Sequence, residues 1–527
     1  MHLNTTNIRL LSILVLVVTC LAAQATTLRV ANQGDVLSMD PHSLNEALQL
    51  DVLGNVYEPL VTRDRQFKLV PALATDWTQT APTVWRFNLR RNVRFHDGTP
   101  FTADDVIFSL DRGKDPGSDL QAYVGAIKEI RKVDDHTIDI VTVTPYPILP
   151  ESLFRWYMMS RKWCELNQAT RPVDRRKNIE NAASFRANGT GPYRLRERQP
   201  SFRTTFSRNG GYWGKVDGNV DEVVFTPIGN DSTRVAALIS GEIDVMEPVP
   251  VQDNDRIKGN RKFKLVQGPE LRVIFLGMDQ RRDELLYSSV KGKNPFKDRR
   301  VRQAFYQAID TESIRKIVMR EMATPAALMI PPQVRGYASD LSKRLPFDPE
   351  AARKLLADAG YPGGFELKMN CPNDRYVNDS AICQAVAASL ARVGIKIALE
   401  SESKSTYFPK VLRRETSFYL VGWTSATLDA HIVLYTVVAS PGEGGRGQWN
   451  LGAYSNSRID ELTTQMASET DDRKRMEMIH EAMKIHQDDI GHIPLHQQAL
   501  NWGARKDIEL VQWPGNGMPW KYVTMGK

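Results

Sequence analysis

Cysteine is scarce: four stand in 527 residues. That is too few for a disulfide-built scaffold, and they are too dispersed for a zinc module. An excess of one charge is also lacking. The net charge is +7, and no Lys/Arg-rich block with interleaved aromatics occurs, so no nucleic-acid partner is expected. Beyond residue 25 no run of 18 apolar residues appears, which excludes a spanning helix there. Catalytic signatures are missing as well. There is no G-x-S-x-G elbow, and His480-Glu481 lacks the second histidine, because position 484 is Lys484. Gly214-Lys215 is followed by Val216, so a phosphate loop fails. Ser313 to Lys316 matches S-x-x-K without its partner motifs and reads as a capped surface helix. Gly442 to Gly447 matches G-x-G-x-x-G, but Pro441 precedes it and no helical pattern follows. It reads as a mobile glycine loop rather than a dinucleotide cradle.

What remains is ordinary globular composition, 42% apolar and 25% charged. At about 150 residues per domain the length suggests three domains. Residues 1–25 form an address rather than structure. Arg9 is followed by a short apolar stretch over 10–23 and an Ala-x-Ala site at Ala23-Gln24-Ala25. Cleavage after Ala25 and export to the periplasm are expected; the rival is a lipid anchor at Cys20, which Thr19 fits poorly. Export places Cys371 and Cys383, twelve apart, where they can form a disulfide; two buried thiols are the alternative. Cys164 is left over and reads as buried and inert.

Strands and helices alternate along the mature chain at α/β spacing. Strands are predicted over 28–31, 84–95, 137–143 and 243–245. Helices are predicted from Thr102, over 232–240 stopped by Gly241, over 297–309, from Asp348-Pro349 to Ala359, over 380–393 and over 471–488. His480, His486, His492 and His496 fall close together, but their spacing shares no helix face, and Pro494 breaks the last pair. They read as core or surface histidines, with no metal and no cofactor expected.

Two stretches look suited to recognition. The polar loop 371–379 carries Arg375, whose planar fork suits a carboxylate, and Tyr376, which can stack or donate. The apolar strand from Ser417 ends in Gly422-Trp423 and continues as a polar loop to Asp429. Ligands of α/β sheets sit beyond such strand ends.

The motifs MDP at 39–41, YEPL at 57–60, LVPALATDW at 69–77 and FHDGTPFTADDV at 95–106 resemble the family 5 solute-binding proteins of ABC transporters, the dipeptide- and oligopeptide-binding group. GTGPY at 189–193, SGEID at 240–244, VRQAF at 301–305, Gly422-Trp423 and YSN at 454–456 continue the resemblance in order. It implies an α/β, two-lobed periplasmic-binding-protein fold (type II, large three-domain cluster) with the ligand cleft between the lobes. Lobe I would be built from 26–57, 188–271 and 497–527, with an accessory domain over 58–187 and lobe II over 272–496. Crossing strands near Val273 and Leu495 would be the hinge. The resemblance implies a monomer that binds a small molecule or peptide and delivers it to a permease with ATPase subunits, without catalysis. It implies ligand contacts from Arg375, Tyr376, Trp423, Thr424, Asp429 and His431. One position departs. Peptide-binding members commonly carry an Asp three residues after the Trp, and here that residue is Ala426, with Asp429 aligning to a second acid. A buried ammonium without its counter-charge is costly. Opines, modified peptides and same-fold carriage of a nickel complex, haem or a sugar therefore stay open beside peptides, and a periplasmic hydrolase is the remote alternative.

Overall fold

The computed structural model describes residues 25–177 and 179–526; the predicted signal segment through Gln24 lies outside them. An 11-stranded mixed sheet is the spine of the molecule. Its order runs Ile395–Glu402, Phe365–Pro372, Phe418–Thr424, Phe263–Met278, Ile493–Arg505, Val245–Glu247, Thr27–Asn32, Glu222–Pro227, Arg203–Arg208 and Tyr193–Gln199, with Ala323–Pro325 added on Ile493–Arg505. Strands at one end come from chain positions below 260 and those at the other from above 360. Among the described strands only Phe263–Met278 and Ile493–Arg505 join the two halves, as an antiparallel pair.

These two long strands pass through a flaw. Their register shifts between Pro269 and Val273 and again between Ile274 and Phe275. Proline cannot donate to a ladder, so Pro269 marks where continuous pairing stops. From Leu271 onward nearly every residue of Phe263–Met278 is buried, whereas before it the strand is mostly half-exposed. Burial on both faces is what a strand covered by helices requires. One such helix is Arg299–Ala308, whose Val301, Ala304 and Phe305 enter the core with Ile274, Leu276 and Leu420.

A separate four-stranded antiparallel sheet, in the order Ala74–Ala81, Val84–Leu89, Thr137–Thr142, Ile127–Asp134, encloses its own core of Phe87, Phe95, Val106, Ile138 and Trp156. Helix Ala103–Lys114 covers it. The helix starts at Thr102 because Asp105 accepts the Thr102 backbone N–H at 2.9 Å in a capping box. Asp231–Ser240 is capped by Asn230 and stopped by Gly241 at φ +80°, and Asp348 caps Pro349–Asp358. The strand predicted over 84–95 ends at Leu89. The one predicted over 243–245 begins only at Val245. Asp244 instead serves as a buried acceptor for Arg29, at 2.7 and 2.9 Å, and for Arg505 at 3.1 Å. No helix among the described residues is long and apolar enough to cross a membrane.

Candidate functional site

Strand pairing sets Thr424 opposite Arg272, Trp423 opposite Val273 and Gly422 opposite Ile274. Gly422 is small for a reason. A Cβ there would meet Ile274 Cδ1 at 2.6 Å and Tyr376 Cε1 at 2.9 Å, so any side chain would push Tyr376 off the strand. The Tyr376 hydroxyl donates to the Gly422 carbonyl at 3.3 Å. The loop carrying Arg375 and Tyr376 is held by Asp379, which accepts both backbone N–H groups at 2.9 and 3.0 Å. A disulfide between Cys371 and Cys383 ties the strand before this loop to the helix after it.

These groups meet the other half of the molecule around a cavity of about 20 Å³, room for roughly one water. Glu46 and Ala47 face it from one side, Arg155 from the small-sheet region, and Arg272, Arg375 and Trp423 from the other. Trp423 lies 5.6 Å from Trp449, and Trp449 lies 5.9 Å from Phe408, which makes one wall aromatic. Among the described residues Trp423 Nε1 and Thr424 Oγ1 are buried without hydrogen-bond partners.

Each cation at the cavity carries its own carboxylate. Arg155 meets Asp51 at 2.6 Å, Arg272 meets Glu270 at 2.7 Å, and Arg375 Nε meets Glu46 at 2.6 Å. The last pair crosses between the halves, and Lys404 joins it from the Arg375 side at 3.4 Å from Glu46. Glu46 also caps helix Ala47–Leu53, accepting the N–H groups of Leu48 and Gln49. Burial alone would raise its pKa; Arg375 and Lys404 overcome that and hold it at about 2. Further contacts span the halves. Gln33 Nε2 donates to the Tyr376 carbonyl at 3.0 Å, and a Cβ on Gly34 would lie 2.6 Å from the Asp374 carbonyl oxygen.

The family model described as bacterial extracellular solute-binding proteins, family 5 Middle, matches residues 68–445. The chain belongs to this family. The glutathione-binding protein GsiB of Escherichia coli (strain K12) is 26% identical over 485 residues, covering 91% of this chain and 90% of that protein. The periplasmic binding protein DppA of Helicobacter pylori, solved with the peptide STSA, superposes with a TM-score of 0.84 at 23% identity, covering 95% of this chain and 99% of its own. AgaA of A. tumefaciens R10, solved with agropinic acid, gives 0.83 at 21% identity, covering 95% and 99%. At these identities the structural likenesses speak to the fold, which is the two-lobed α/β binding-protein fold expected from the sequence.

Within this family 5 member the predicted site residues separate into two groups. Arg375, Tyr376, Trp423 and Thr424 line the interlobe cavity. Asp429 and His431 do not. Asp429 receives two hydrogen bonds from Arg475, at 2.7 and 2.8 Å, and caps Ala430–Val433. Its counter-charge is thus internal, and the expectation that it faces a ligand amine gives way to a lobe-internal ion pair. His431 is buried, donates from Nε2 to the Thr463 carbonyl at 3.2 Å and stacks on Tyr435; burial lowers its pKa to about 4, so it is neutral. Ala426 is buried, and the acid of the same loop, Asp429, is already paired with Arg475. His486 Nε2 and His492 Nδ1 sit 3.0 Å apart, and His480 meets Asp340. Among the described residues no group of three or more His, Cys, Asp or Glu is gathered for a metal.

Glu46 was not anticipated. Its local signal is slight: a glutamate at an N-cap, where Ser, Thr, Asp or Asn is usual. Its partner Lys404 lies 358 residues away, beyond the reach of any local pattern.

Proposed function

We propose that this family 5 protein is the exported, periplasmic binding component of an ABC importer, taking di- or oligopeptides or related amino-acid derivatives between the lobes, once hinge opening widens the cavity beyond the single water it has room for here. It binds and releases its ligand unchanged and hands it to an inner-membrane permease driven by ATPase subunits. The 25-residue N-terminal pattern supports export with cleavage after Ala25. The three-segment lobe over 26–57, 188–271 and 497–527, the accessory region 58–187 and the second lobe 272–496 are the division we adopt. The two crossing strands, with their flaw at Pro269–Val273, supply the hinge.

The observation that carries this reading is the interlobe cavity lined by Glu46, by three arginines that each hold a carboxylate, and by an aromatic wall. Both signs of charge are presented in a buried site, which suits a zwitterion. An ammonium can be drawn toward Glu46 and a carboxylate toward Arg375 or Arg272. Trp423 and Thr424 bring unpartnered donors to the same wall. A ligand touching both lobes favours their approach through that differential contact. Ala426 and the internally neutralised Asp429 favour a second reading. With no acid free on the Trp423 loop, ligands whose amine is modified, such as opines, compete with simple peptides.

The test is a thermal-shift panel on the purified mature protein with di- to pentapeptide mixtures, glutathione and agropinic acid, because a ligand that binds only the folded state raises its melting temperature. A shift with peptides or glutathione, with the compound recovered intact by mass spectrometry, is expected. A shift with agropinic acid alone moves the assignment to opines, and a hydrolysed compound contradicts the binding role.

A further inference from the structure

The glycine loop 442–447 has a different use. It docks against helix Gln121–Val124: a Cβ on Gly125 would meet the Gly444 carbonyl at 2.5 Å, and one on Gly445 would meet Ala122 N at 2.3 Å. Gln448 Nε2 donates to the Ser118 carbonyl at 3.1 Å, and Arg413 Nη1 to the Arg176 carbonyl at 3.2 Å. Between these contacts lies a cavity of about 360 Å³, within the size range of small-molecule sites. It lies apart from the cavity at Trp423 and shares no lining residue with it.

Four arginines line this second cavity: Arg175 and Arg176 from the accessory region, Arg414 and Arg446 from the second lobe. The first two are engaged, Arg175 with Glu180 at 2.6 Å and Arg176 with Asp174 at 2.8 Å, although the buried Arg175 Nε keeps no hydrogen-bond partner. Asp119, the other acid in the wall, accepts the Asn45 N–H at 2.7 Å, and burial raises its pKa to about 7. Arg414 and Arg446 make no ion pair among the described residues, and Arg414 Nε is buried without an acceptor. Burial pushes the Arg414 pKa down, against Tyr419, and the nearby Arg281, Arg282 and Arg176 add to it. Arg446 is half-buried, but a guanidinium with a buried donor and no carboxylate, as at Arg414, is costly, and the fork of donors on both arginines matches an oxyanion.

We infer that this cavity is a second site, which takes a carboxylate or phosphate group between the accessory region and the second lobe and braces them together. The group belongs either to a free ion or to the acidic end of a larger molecule. In both cases it touches both walls, so its binding favours their approach.

Thermal melting at constant ionic strength, with chloride exchanged for inorganic phosphate, tests the free-ion source. Calorimetric titration with glutathione tests the larger-molecule source. Both are run on the mature protein, on Arg414→Gln/Arg446→Gln and on Arg446→Gln alone, which guards against misfolding of the double variant. The expected result is a saturable phosphate response weakened about tenfold in the variants, the scale of one lost charge-assisted hydrogen bond. A loss of that size for glutathione only, without any phosphate response, also supports the site and names the second source. Equal behaviour of parent and variants toward both probes overturns it. None of these variants touches the cavity at Trp423, so the outcome leaves the proposed transport ligand to its own test.

Discussion

Two buried arginine–carboxylate pairs near the cleft look alike and do different things. Asp429 and Arg475 both lie in the C-terminal lobe, joined by two hydrogen bonds, with side chains 5% and 3% exposed. Glu46 and Arg375 are equally shielded, at 1% and 6%, but stand on opposite lobes. The first pair can break only if its lobe loosens. In the proposed hinge motion the second would break on opening, and each partner would then be hydrated. Burial and geometry are shared; on the proposed hinge, what separates a structural ion pair from a functional one is whether the joint lies between the partners.

The largest effect should follow from Arg475→Ala. It strands Asp429 as an unpaired buried charge, which costs about 3–5 kcal/mol. Urea unfolding should show that loss in full, while ligand affinity per folded molecule stays near the parent's. A loss below about 1 kcal/mol would place the pair with ordinary exposed ion pairs instead.

Gly34→Val should act the other way. Its Cβ would sit 2.6 Å from the Asp374 carbonyl and 2.9 Å from Lys404 Cε, across the lobe boundary. Overpacking of this kind costs about 1–3 kcal/mol, and here hinge opening relieves it. Ligand affinity should fall by roughly ten- to a hundredfold with little change in urea unfolding. The reverse pattern would mean that the lobes do not move there.

A smaller effect is expected from acid. Glu46 has an ordinary pKa near 4.5 when free and about 2 when paired. A depressed carboxyl contributes stability above its unpaired value and loses it as pH falls through the paired one. The melting-temperature gap between the parent and Glu46→Gln should therefore be full above pH 4.5 and shrink as pH falls toward 2. A gap independent of pH would remove the charge from the account.

Much of the fold was legible because it is written locally. Thr102 with Asp105, Asp348 with Pro349, and Gly241 each declare a helix end within four residues, and the structure uses all of them. Four of the six candidate site residues meet at one cavity for a similar reason. Arg375 and Tyr376 lie in a loop after a strand, and Trp423 and Thr424 close the strand Phe418–Thr424. Asp429 misled because its partner Arg475 lies 46 residues on, in a helix whose pattern reads as an ordinary amphipathic face. Glu46 escaped because its meaning arises only when two lobes meet. Local patterns record caps and faces; they do not record which charges a hinge brings together.

The most direct test of the central claim is calorimetric titration of the mature protein, Arg375→Ala and Trp423→Ala with whichever compound of the thermal-shift panel binds. Saturable binding by the parent, weakened at least about tenfold in both variants while their urea unfolding stays cooperative, is the predicted result. Unchanged affinity in both variants would contradict the assignment of the cavity between Glu46 and Trp423 as the ligand cleft.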